Sequence, residues 1–142
     1  NYRQTTQKGI FACGNVLHVH DLVDFVSAES ELAGKSAAAF VGGTLPEGDY
    51  AETKPTDGVR YTVPQRYSRS GVDEKTEFFF RVGKNYRNVY LAAYADGKEI
   101  SRKKLRRAAP GEMEHISFKG DALEALKKAQ NLTLAIREEE NA

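Results

Sequence analysis

The stretch NVYLAAYADGKEI (Asn88–Ile100) decides the fold class. Val89, Leu91, Ala93 and Ala95 fall on one side, and Tyr90, Ala92 and Tyr94 on the other. A period of two is the mark of a strand buried on one face. Asp96-Gly97 follows at once, and such a pair accepts the positive φ angles of a two-residue hairpin turn. The simplest register of that hairpin pairs Ala93 with Ile100 and sets Leu91 against Arg102. A core leucine opposite an arginine is a poor match. The strand after Ile100 is therefore expected to bulge, or to cross to the edge of a second sheet.

The same period recurs on either side. Val59, Tyr61 and Val63 alternate with Arg60 and Thr62; Phe78, Phe80 and Val82 share a face in TEFFFRV; Leu132, Leu134 and Ile136 do so in NLTLAIR. With further strands at Ile100 and at Ile116/Phe118, the pattern predicts a mainly β fold: an immunoglobulin-like or fibronectin-like β-sandwich of six or seven strands over residues 58–142. DALEALKKA (Asp121–Ala129) reads as one short helix with Asp121 as N-cap. Residues 44–57 are polar and contain Pro46, Gly48 and Pro55, so they read as a linker.

The N-terminal part is different. GIFACGNVLHVHD (Gly9–Asp21) opens with four apolar or small residues, Ile10 to Cys13, as in a buried strand, and a Gly-Asn pair stops them. A helix is expected over most of residues 16–41. Leu22, Val26, Ala33 and Ala37 lie near one face, and Val19, Val23 and Phe25 widen the apolar stripe. Asp21 and Asp24 suit the first turn, and Gly42-Gly43 suits the end. Strand, glycine-polar turn and helix N-terminus together present backbone N–H groups to a ligand.

GIFACGN, followed by a helix rich in small residues, resembles the end of the flavin-binding domain in FAD-dependent pyridine-nucleotide oxidoreductases, nearest their thioredoxin reductase-like branch. Members carry a strand ending in a G-[IV]-[FY]-A-x-G-D type motif. HVHDLVDFVSAESELAGKSAAAF, RYTVPQ and APGEMEHI resemble a sub-branch with an added C-terminal domain. The resemblance implies that residues 1–43 are the last strand and helix of a flavin-binding domain and that the parent protein holds FAD. Gly14 would admit the flavin's close approach, and Asn15, in place of the usual aspartate, would meet the ribityl chain. Asp21, Leu22 and Val23 would aim the helix N-terminus at the pyrimidine edge of the isoalloxazine. There it stabilises negative charge developing on reduction. By themselves His18 and His20 read as surface loop residues; the resemblance implies that His20, or His18 beside it, would lie next to the ring as a cation.

No G-x-G-x-x-G and no C-x-x-C occurs in the chain. A fragment without a pyrophosphate loop or a redox pair is expected neither to hold FAD tightly nor to catalyse by itself, so no catalytic residue is assigned. Its expected partners are the remainder of the parent NAD(P)H oxidoreductase and, through the N-terminal helix, a second copy. The sandwich would serve assembly or docking. The competing reading is a freestanding immunoglobulin-like interaction module with no redox role.

Composition limits the rest. The chain has 142 residues, 40% hydrophobic and 29% charged, and a net charge of +1, which offers no field for nucleic acid. No apolar run approaches the ~20 residues of a membrane span. A lone cysteine, Cys13, excludes an intrachain disulfide, suits a reducing cytoplasm and is expected in a small buried site. Three histidines and one cysteine show no recognised ligand spacing, although His18 and His20 are close, so no metal is expected. With Met113 the only methionine, the chain is expected to come from something longer. SRKKLRR (Ser101–Arg107) reads best as a basic edge strand that blocks sheet-to-sheet pairing, ahead of docking an acidic partner and of binding nucleic acid. Tyr67, Tyr86, Tyr90 and Tyr94 read as packing residues before a binding face.

Overall fold

Asp96 and Gly97 both take positive φ, 47° and 86°. That is the mirror-image turn whose twist matches antiparallel strands. The structure, a computed structural model, describes residues 1–138 and parts into two compact units between Glu47 and Gly48. In the first unit a 3-10 turn (Gly14–Val16) precedes helix α1 (Val23–Val41). In the second, the order is β1 (Tyr50–Pro55), β2 (Val59–Val63), β3 (Arg66–Ser68), β4 (Phe78–Val82), β5 (Tyr86–Ala95), β6 (Lys98–Ala108), β7 (Glu114–Ile116), α2 (Gly120–Lys128) and β8 (Asn131–Glu138). The chain is mainly β, with two sheets. Among the described residues no helix is long and apolar enough to cross a membrane.

One sheet has the strand order β3-β1-β8-β5-β6, the other β2-β4-β7. The hairpin strands β5 and β6 pair Tyr94 with Glu99 and Ala93 with Ser101, leaving Ile100 as the extra residue of a bulge. The bulge moves Leu91 opposite Lys103 and Val89 opposite Leu105. Lys103 donates from Nζ to the His115 carbonyl of β7 at 3.0 Å, which links the two sheets. Strand β6 is an edge of its sheet, so the basic run does lie on an edge strand.

The two sheets and α2 share one apolar core. Phe78, Phe80 and Val82 meet Val89, Leu91 and Ala93 of β5 and Leu132, Leu134 and Ile136 of β8, with Leu123 and Leu126 of α2 added. Tyr67 and Phe78 pack edge to face at 5.5 Å between ring centroids. Tyr67 is thus a core residue. Tyr90 and Tyr94 lie apart from it, Tyr90 beneath Arg102 and Lys104, and Tyr94 beneath Arg137.

Several expectations need correction. Residues 50–55, read as linker, form β1, which pairs antiparallel with β3 and parallel with β8. Only Ala51 and Thr53 of this strand are buried, so its apolar signal is too thin to read locally. In β2 a register shift between Val59 and Tyr61 turns the strand over. Thr62 then goes inward opposite Phe80, while Tyr61 faces Arg81. Asp121 does not cap α2: the cap position is Lys119, and Asp121 stands in the first turn, where it acts on the dipole.

In the first unit, residues 16–22 are not α-helical, and α1 begins at Val23. The expected strand at Ile10–Cys13 is reduced to a single bridge between Gln4 and Phe11. It is closed by the bonds Thr5 N–H to Ile10 O (2.8 Å) and Ala12 N–H to Arg3 O (2.9 Å). The buried face of α1 is Glu29, Ala33 and Ser36. Leu22 lies outside the helix, and it and Val23 are exposed. Cys13 is half-buried rather than enclosed.

Candidate functional site

Glu29 sits at an inward position of α1, one turn before Ala33. Helical side chains lean toward the N-terminus of their helix. The carboxylate therefore reaches back to the residues that precede it. Gly14, at φ +66° in the 3-10 turn, donates its backbone N–H to Glu29 Oε2 at 2.9 Å. Arg3 donates from Nε to Oε1 at 2.9 Å. His18 Nε2 lies 3.1 Å from Oε1, and His20 Nε2 lies 2.8 Å from Oε2. The four side chains are between 0% and 5% exposed.

A carboxylate with two oxygens has about four acceptor positions, and here four donors converge on them. Burial by itself would raise the Glu29 carboxyl. The bond from His20, the Arg3 guanidinium, the Gly14 amide and His18 outweigh it and hold the group below the usual carboxylate range. An ionised carboxylate only accepts, so both imidazoles turn an Nε2–H toward it. His18 is held below the ordinary histidine value, chiefly by burial, with Glu29 opposing and His20 and Arg3 adding to the shift. The two rings stand edge to face, 4.2 Å apart, and His20 also stacks over Phe25 at 6.2 Å. His18, His20 and Glu29 offer ligand atoms that all lie within 4.8 Å of one another, a set able to hold a metal ion.

The residues expected to face a flavin divide in two. Gly14 and His20 belong to the buried cluster around Glu29. Asn15, Asp21, Leu22 and Val23 are exposed. Leu22 is the N-cap of α1, and its side chain makes no capping bond. Around that helix start Val16, Val19, Leu22 and Val23 expose 59% to 83% of their surface. Sequence reasoning missed Arg3 and Glu29. The available signal was the charge itself: position 29 continues the stripe Leu22, Val26, Ala33, Ala37, and a glutamate there needs buried partners.

No protein-family model, curated protein or solved structure matches this chain.

Proposed function

We propose that the chain is the C-terminal part of an FAD-dependent NAD(P)H oxidoreductase of the thioredoxin reductase-like kind. Residues 1–43 would close its flavin-binding domain, and the second unit would form an immunoglobulin-like β-sandwich used for assembly or partner docking. The observation that carries this reading is the start of α1. Beyond the Gly14-Asn15 turn and the non-α-helical residues 16–22, α1 begins at Val23, its N-cap Leu22 makes no side-chain capping bond, and Val16, Val19, Leu22 and Val23 are exposed. Amides and a dipole suit the electron-rich edge of a reduced flavin, and apolar side chains suit its ring faces. The buried cluster behind the turn would hold Gly14 in place while Asn15 faces the cofactor.

The test is the flavin absorbance of the whole parent protein and its loss on substitution. Purified intact protein should carry FAD, and Val23→Asp, which puts a second carboxylate beside Asp24, should weaken flavin retention. A colourless parent that takes up no FAD ends the proposal. The isolated chain should bind FAD no better than micromolar, because the strands that hold the pyrophosphate in such domains are missing from it. Without those strands, the exposed apolar residues would drive pairing of two copies through the N-terminal helix.

The second reading, an interaction module with no redox role, is favoured by one fact. The entire apolar core cluster lies within residues 51–136, so the second unit owns its core. A parent without bound flavin would leave that reading standing.

A further inference from the structure

We propose that His18, His20 and Glu29 form a binding site for one first-row divalent transition-metal ion. The inference rests on the geometry of the first unit and not on the flavin reading. Two imidazole nitrogens and a carboxylate are a mixed N/O donor set, which suits zinc and its neighbours rather than magnesium or calcium. Zinc holds such ligands at about 2.0–2.2 Å, which places adjacent donors of a tetrahedron roughly 3.3 Å apart. His18 Nε2 lies 3.1 Å from Oε1 and His20 Nε2 2.8 Å from Oε2, and the three ligand atoms lie within 4.8 Å of one another, so the carboxylate would meet the ion through both oxygens. The ion would enter where the two Nε2 protons now sit. A ring that binds the ion presents its Nε2 lone pair and carries its remaining proton on Nδ1.

The surroundings hold the carboxylate in place for this role. Arg3 stays on Oε1 and the Gly14 amide on Oε2, each at 2.9 Å, leaving a lone pair on each oxygen for the ion. The Arg3 charge opposes the ion and limits its affinity. All three ligand side chains are at most 3% exposed, so the site is closed and its role structural. Bound metal would pin the His18–His20 loop to α1, within the segment that leads from the Gly14 turn to the helix start.

The third histidine supplies an internal control. His115 has a side chain 45% exposed, 3.7 Å from Glu77, an ordinary surface pair. Zinc chloride titrated calorimetrically into the 142-residue chain should saturate at one ion per chain and raise the thermal midpoint. Cobalt(II) should give the intense visible bands of a low-coordinate N/O site. His115→Gln should leave both unchanged, and His20→Gln or Glu29→Gln should weaken binding at least about tenfold. Absence of saturable binding to the native chain overturns the proposal whatever the variants do. So does binding that His115→Gln abolishes, or that a folded His20→Gln chain, checked by circular dichroism, retains in full.

Discussion

The hydroxyl of Tyr67 in β3 donates to the carbonyl of Leu126 in α2 across 3.0 Å, and both side chains are fully buried. One aromatic residue thus ties the edge of the five-stranded sheet to the helix that precedes its parallel strand. Burial raises the phenol well above its usual range, so it keeps its proton and donates near neutral pH. Tyr67→Phe keeps the ring and removes the bond. It should destabilise the chain by about 1 kcal/mol, whereas Tyr67→Ala should cost about 3–5 kcal/mol. Urea denaturation of the two variants checks this; equal losses would mean that the ring contributes nothing.

Gly58 stands at φ +87° between β1 and β2. A Cβ there would run into the Tyr86 hydroxyl and come within 3.3 Å of Ile136 Cβ. Gly58→Ala should lose about 1–3 kcal/mol from backbone strain, with the clash adding to it. Tyr86→Phe in the same chain should restore part of the loss by removing the oxygen. A double-mutant cycle reads that coupling directly, and additive effects would refute it.

The Asp96 carboxylate accepts the backbone N–H of Gln130 at 3.1 Å and of Asn131 at 2.9 Å, so the hairpin turn also holds the start of β8. These amides hold its pKa below the ordinary 3.8, and the group is exposed. A depressed folded pKa adds stability that is complete above the unfolded value. That stability disappears as the pH falls through the folded value. Asp96→Asn, which still tolerates the positive φ, should therefore lower the urea midpoint near neutral pH. The gap to the native chain should narrow below about pH 4 and close at lower pH. A gap independent of pH would show that the charge plays no part.

Strand β1 pairs with both β3 and β8, so the second unit needs it. A chain starting at Gly48 should unfold cooperatively on heating, and one starting at Asp57 should not. The shorter chain exposes the edge of β8 and loses the partner of β3. Calorimetry on the two truncations decides; cooperative melting of the shorter one would mean that β1 is dispensable.

Local pattern carried much of the second unit. Alternation marked β4, β5 and β8, and Asp96-Gly97 marked the hairpin. The mismatch of Leu91 with Arg102 pointed to a bulge after Ile100 or a crossing to a second sheet; the structure has a bulge, at Ile100 itself, and it sets Leu91 opposite another basic residue, Lys103. These readings hold because a strand face and a tight turn are set by residues within a few positions of each other. The turn at Gly14-Asn15 and the body of the small-residue helix were legible for the same reason, whereas the strand read at Ile10–Cys13 and the helix start were not.

Long-range contact decided the rest. β1 exists because β8, some eighty positions later in the sequence, supplies its parallel partner, and nothing within YAETKP announces that. The turn-over of β2 depends on what β4 places opposite Thr62 and Tyr61. Above all, Arg3, Gly14, His18, His20 and Glu29 are ordinary residues scattered over the first twenty-nine positions. Only the folding of the N-terminal arm against α1 makes them one buried cluster, because a charge at a helix position that faces inward must gather its partners from wherever the chain returns.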